Sequence, residues 1–195
     1  MPAIGQAPGE LRVLQAFVNT LDIEQSTDEL TSEQALADWL TSAHLLDRGS
    51  EGQAGSQGGE LASAVALREA LRGVLRSHVT HAGQHAPDDS VSQLRRLAAG
   101  RPTRLEVGPD GQVAAAAAGS GVQAGLTRLL LIAAEAATAG TWRRLKVCSA
   151  DDCQWAFYDR SPTRSGCWCS MQICGSRAKS RAYRQRYAAP KPAAG

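Results

Sequence analysis

All five cysteines of this 195-residue chain fall in its last third, at positions 148, 153, 167, 169 and 174. Four residues separate Cys148 from Cys153, four separate Cys169 from Cys174, and fifteen lie between the pairs. Two close pairs around a loop of that size form the pattern of a tetrahedral four-cysteine zinc site. Each pair makes a turn that aims both sulfurs at one point, and the metal closes the loop between them. A disulfide framework spreads its cysteines and pairs them evenly. The N-terminal stretch MPAIGQAPGE also lacks the cationic, apolar and cleavage regions of a secretion signal. The odd cysteine, Cys167, reads as a free thiol beside the site, although on a strand it would point the same way as Cys169.

Between the pairs, Trp155, Phe157 and Tyr158 suggest a short aromatic strand, Ser161–Gly166 a polar turn, and Trp168 the return on a second strand. So few residues cannot bury enough surface alone, so metal and aromatics together must hold the module. A helix is predicted to start near the second cysteine pair. Arg177, Lys179, Arg181, Arg184 and Arg186 give it five cations in ten residues and no acid. Arg177, Arg181 and Arg184 share one face at i, i+4, i+7. A lone basic helix is usually a solvated face, but one fused to a metal-stapled platform points to nucleic acid. Arg177 and Arg181, nearest the anchored end, are the candidates for reading bases.

The preceding body reads as helical. Val13, Leu14, Phe17, Val18 and Leu21 repeat at helical spacing over 11–21. Thr31–Gln34 has capping-box spacing ahead of Leu36, Trp39 and Leu40. Residues 49–59 (GSEGQAGSQGG) are linker material that would form a mobile loop inside the domain. A long helix over about 60–78 has Ala64, Leu67, Leu71, Val74 and Leu75 as its buried stripe and Arg68, Arg72 and Arg76 as a solvated one. A shorter helix is predicted over 90–99. Arg104–Val107, a Pro-Asp-Gly turn and residues 112–114 then suggest a hairpin. The alanine run 114–118 is open between strand and helix. A last helix spans about 121–138 and stops at Gly140. His78, His81 and His85 read as exposed at a frayed helix end and its loop. Asn19, Thr20 and Asp22 form a polar cluster with two readings, a helix end bonded to itself or the lining of a ligand pocket walled by residues such as Trp39 and Leu71.

Charge separates the two parts. Residues 1–142 hold 10 Lys and Arg against 16 Asp and Glu, whereas residues 143–195 hold 11 against 3. An acidic body carrying a basic module fits a polyanionic partner. The longest apolar stretch, 126–139, is too short to span a bilayer, so a soluble, cytoplasmic protein is expected. No P-loop, GxGxxG, HExxH or GxSxG pattern occurs, and the chain is not expected to be an enzyme.

These residues carry a family resemblance. Cys148, Cys153, Trp168–Met171 and Cys174–Lys179 resemble the CGNR zinc finger in cysteine spacing, in the WCSM string and in the trailing basic helix. Phe17–Asp22, Leu36–Leu40, Ala66–Leu71 and the helix before Trp142 are similar to the ABATE domain that usually precedes this finger. The resemblance implies a bacterial, stress-linked transcription regulator with a zinc-dependent DNA-binding finger and a ligand-sensing N-terminal domain. It departs in two places: Ser176 stands where the finger's name-giving Asn is expected, and Cys167 stands at a usually basic or small position.

The reading is therefore an α+β protein in three parts. Residues 1–142 form a mostly helical, ABATE-like domain with a small β-hairpin, which senses a ligand or makes a homodimer. Residues 143–187 form a CGNR-like module, a β-hairpin followed by a basic helix, holding one Zn²⁺ through Cys148, Cys153, Cys169 and Cys174. Residues 188–195 form a flexible tail. DNA contact is assigned to Arg177, Lys179, Arg181, Arg184 and Arg186, and a ligand pocket to Asn19, Thr20 and Asp22. The alternative is an interaction module whose basic helix docks an acidic protein partner.

Overall fold

The computed structural model describes residues 5–46, 59–79 and 88–188. His81, His85, residues 49–58 of the predicted linker and 189–195 of the predicted tail lie outside the described residues. The body contains α1 (Leu11–Val18), β1 (Leu21–Asp22), β2 (Thr27–Asp28), α2 (Glu33–Ser42), α3 (Glu60–Ser77), α4 (Asp88–Ala98), β3 (Thr103–Val107), β4 (Val113–Ala117) and α5 (Gly121–Thr138). A single 3-10 turn, Trp142–Arg144, leads into β5 (Leu145–Val147) and β6 (Ala156–Tyr158). A π turn, Met171–Gly175, then opens α6 (Ser176–Ala188). The strands form three separate antiparallel pairs, β1 with β2, β3 with β4 and β5 with β6.

The helical spacing of apolar residues builds one core. Leu14, Phe17 and Val18 of α1, Leu36 and Leu40 of α2, Leu67, Leu71 and Leu75 of α3, and Leu126 and Leu129 of α5 are wholly buried. Burying each such side chain contributes about 1.5–3 kcal/mol. Gly125 lets α5 approach α2: a Cβ there would stand 3.3 Å from both Leu40 methyls. Gly140 ends the turn after α5 at φ +68, in the left-handed region that a glycine enters without cost. Leu145, Val147 and Ala156 belong to the same core. The first hairpin of the cysteine-bearing segment is thus packed onto α1 and α3.

The structure changes or settles several local readings, beginning with Leu21, which opens β1 and does not extend α1. Ser32, one residue after Thr31, caps α2, its hydroxyl accepting from the Ala35 N–H at 3.1 Å. The alanine run is strand as far as Ala117, because Leu105, Glu106 and their neighbours pair with it. Arg68 and Arg72 are buried at 2% and 3% exposure, not solvated. His78 is buried as well, and its ring stands edge-on to Trp142.

Candidate metal centre and nucleic-acid interface

The sulfurs of Cys148, Cys153, Cys169 and Cys174 all lie within 4.8 Å of one another. Cys153 to Cys169 measures 3.6 Å and Cys169 to Cys174 3.7 Å. Four sulfurs on a tetrahedron about 2.3 Å from a central zinc would stand about 3.8 Å apart, so the donor set fits that ion. None of the five cysteines forms a disulfide. The crowding itself calls for a cation. Cys148, beside the Cys153 and Cys169 thiols, is pulled well below the usual thiol range, while Cys153, in contact with that thiolate, is pushed up. Cys169 is raised for the same reason, and Cys174 chiefly by burial. Bound zinc would hold all four sulfurs as thiolates, offset their mutual repulsion and tie the two halves of the segment together. The Cys167 sulfur is not one of the four, and its backbone carbonyl accepts from the Ser149 N–H at 3.0 Å.

The first cysteine turn hangs from the β5–β6 hairpin. β6 pairs with β5, Leu145 opposite Tyr158 and Val147 opposite Ala156, and not with the Trp168 segment as the aromatic spacing suggests. The Cys148 N–H donates to the Trp155 carbonyl at 2.9 Å and the Cys153 N–H to Ala150 at 3.0 Å. Gln154, at φ +50, turns the chain back into β6.

Side chains of the body grip this turn. Asn19 donates to the Ala156 carbonyl at 3.0 Å and accepts from the Ala156 N–H at 2.7 Å. Gln15 donates to the same carbonyl at 3.1 Å. Arg72 donates to the Gln154 carbonyl at 2.8 Å and to Val18 at 2.6 Å, and Arg76 pairs with Asp151. Arg68 forks onto Asp28 at 2.7 and 2.9 Å and reaches Thr20 at 3.2 Å. Glu69 bridges both buried arginines. Burial works against the Asp28 carboxylate, but the Arg68 fork holds it below its ordinary value. Regular four-residue spacing of arginines reads as a solvated stripe. The signal for burial lies instead in acceptors on other elements.

A second buried pair shapes the loop between the cysteine pairs. Lys146 donates to Asp159 at 2.7 Å, both nearly inaccessible, and to the Gly166 carbonyl at 3.1 Å. Burial raises the Asp159 carboxyl, but Lys146 together with the Ser161 and Gly166 N–H groups holds it down to about 2.

Cys174 lies in the π turn, so the metal site and the start of α6 share backbone. Ser170 caps this turn by accepting from the Ile173 N–H, and the Ser176 hydroxyl donates to the Met171 carbonyl at 3.3 Å. Ser176 therefore still ties the turn where the resemblance expects Asn. Ser176, Arg177, Ser180, Arg181 and Arg184 line one groove of about 530 Å³. Arg177 pairs with Glu24 at 2.7 Å and Arg181 with Asp152 at 3.0 Å, both exposed. Lys179 and Arg186 project from the opposite side by helical phase. Tyr183 and Tyr187 stack on each other at 4.5 Å and stay exposed.

The three polar body residues do not meet. Asn19 borders a cleft of about 510 Å³ with Arg12, Gln15, Glu29, Trp39 and Trp155. Thr20 is buried against Phe17 and Arg68. Asp22 accepts from Gln25 in its own exposed turn, and Leu71 is core. No helix among the described residues is long and apolar enough to cross a membrane.

No curated protein matches the chain. Two family models do: the CGNR zinc finger over residues 144–187, and ABATE, described as a putative stress-induced transcription regulator, over residues 11–141. The first covers all four clustered cysteines and α6, and the second covers the helical body up to the 3-10 turn. The chain therefore belongs to the ABATE family and ends in a CGNR zinc finger with a four-cysteine site for one zinc ion.

Proposed function

We propose that this chain is a zinc-dependent DNA-binding transcription regulator of the cytoplasm, responsive to a ligand or a stress signal, rather than an enzyme. The observation that carries the reading is the α6 groove. Three guanidiniums and two hydroxyls line it, on a helix that continues directly from the π turn holding Cys174. Guanidiniums bind phosphates by charge and by paired N–H donors, and a helix already anchored loses less entropy on binding. Arg177, Arg181 and Arg184 on the groove face are the direct contacts of the set, and Lys179 and Arg186, on the other side of the helix, add charge to it. On DNA, Arg177 and Arg181 would exchange Glu24 and Asp152 for phosphates or base edges. Exposed pairs of this kind are worth only about 0–1 kcal/mol, so the exchange costs little. Selection of duplexes from a random pool tests the reading. The zinc-loaded chain is expected to enrich DNA, and the chelated chain is not; equal or absent enrichment in both refutes it.

One observation favours a second reading. Arg177 and Arg181 already bind carboxylates, which is how α6 would dock an acidic protein surface. Such a complex would bury apolar anchors and resist salt, whereas DNA binding weakens steeply with it.

For the ligand response, the cleft between Trp39 and Trp155 is the proposed site. Gln15 and Asn19, the side chains that grip Ala156, are among its lining, so an occupant there touches the hold on the zinc turn. Tryptophan fluorescence across a small-molecule panel is expected to change for binders, and the change should be lost in Ala16→Phe, which sets a bulky ring in the cleft that Ala16 lines.

A further inference from the structure

Among the described residues, the outer edge of β3 in the β3–β4 hairpin pairs with no further strand. β4 packs on α5. β3 is exposed along its whole length and, among the described residues, pairs with β4 alone. Leu105, Val107 and Val113 are 75%, 70% and 62% exposed. The phase of the ladder says which backbone groups the edge offers. Gly108 donates to the Gln112 carbonyl, and Ala118 donates to the Pro102 carbonyl. Residues 102, 104, 106 and 108 therefore turn their backbone groups toward β4. By alternation, Thr103, Leu105 and Val107 turn their N–H and C=O groups outward. Native sheets usually blunt such an edge with charges, Pro or a bulge; here Pro102 stands ahead of the strand, and the strand's two charges, Arg104 and Glu106, pair with each other at 2.6 Å.

We propose that this edge pairs, antiparallel and centred on Leu105, with the same edge of a second copy of the chain. The strand reads Thr-Arg-Leu-Glu-Val, a charge pattern that complements its own reverse. In that register Leu105 faces Leu105 of the second copy, and Thr103 faces Val107. Arg104 stands opposite Glu106 of the second copy, and Glu106 opposite its Arg104. Opposite charges directly across strands stabilise, and like charges in those places would repel. All three outward N–H groups and all three outward carbonyls of each copy find partners, giving six backbone hydrogen bonds across a two-fold axis. Only odd-numbered residues face outward, so competing registers differ by two residues, and a shift of two would set Arg104 against Arg104 or Glu106 against Glu106, so the register is specified. Two hairpins, each marginal alone, become one four-stranded sheet. The pairing does not depend on what α6 binds. If α6 does bind DNA, the same two-fold would present two basic helices to a palindromic site, a consequence that rests on the proposed function.

Sedimentation equilibrium of the full zinc-loaded chain tests the pairing. The wild type is expected at the mass of two chains. Leu105→Pro removes an outward N–H and no hairpin bond, and is expected at the mass of one. Arg104→Glu and Glu106→Arg each place like charges across the axis and are expected as single chains. An equimolar mixture of these two variants restores both ion pairs and should return to the two-chain mass, which also shows that each variant folds. A wild type that stays a single chain overturns the proposal. So does a dimer that survives all three substitutions, larger open assemblies, or a mixture that stays at one chain.

Discussion

Asn19 pairs with both backbone groups of Ala156, much as a neighbouring strand would. Removing that amide leaves the buried Ala156 N–H without an acceptor, and an orphaned group of this kind costs about 1–3 kcal/mol. Asn19→Ala is therefore expected to lower stability by that amount and to release zinc faster to a chelator; unchanged unfolding and release would show that the grip is idle. His78 supplies a pH signature. A carbonyl only accepts, so the bond to Leu145 at 2.8 Å places the proton on Nδ1. Burial, against the pull of that bond, pushes the imidazole below its ordinary 6.5. The unfolded chain takes up a proton near pH 6.5, and the folded chain only lower. The stability of the neutral form is thus present above about pH 6.5 and is lost as pH falls through the depressed value. Melting temperatures from pH 7.5 to 5.5 should fall more steeply in the wild type than in His78→Gln; parallel profiles would contradict the assignment.

At the scale of elements, what the sequence revealed and what it hid divide along one physical line. Helix periodicity located α1, α3 and α5, because their apolar stripes meet one core. Cysteine spacing located the metal ligands, because two four-residue gaps are enough to converge four sulfurs. The partner of β6 was hidden, since pairing with β5 depends on a core supplied by α1 and α3 and not on the aromatic residues nearby. The burial of Arg68 and Arg72 was hidden for the same reason: their acceptors are Asp28, Val18 and Gln154, on three other segments. Within α6, Arg184 lines the groove and Lys179 lies opposite it by helical phase. If the groove face meets the duplex, Arg184→Ala is expected to weaken binding to every sequence and to reduce the salt slope by about one. Lys179→Ala should change both less. Equal effects, measured by fluorescence anisotropy across salt, would mean that the helix lies on DNA by its other face.

At the scale of the whole molecule, body and finger share a core. The cysteine pattern alone suggests that metal loss unfolds the finger and spares the body. Leu145, Val147 and Ala156 sit in one cluster with Leu14, Leu71 and Leu126, so loss of the zinc turn loosens the seat of β6 against α1. Chelation is accordingly expected to lower the melting temperature of the helical body as followed by far-ultraviolet circular dichroism. A body transition indifferent to zinc would show two independent units. Whether zinc-anchored α6 holds DNA by its cationic groove, as proposed, is read from the affinity of the zinc-loaded chain for duplex DNA over a range of salt, beside the Arg177→Ala, Arg181→Ala double variant. Each phosphate neutralised contributes about −0.9 to the slope of log affinity against log salt. The zinc-loaded wild type is expected to show a steep negative slope, and the variant weaker binding, with relaxed sequence preference where its arginines read bases and a slope shallower by about one unit for each that neutralises a phosphate. A flat wild-type slope, or a variant with unchanged affinity, would contradict DNA binding by the groove.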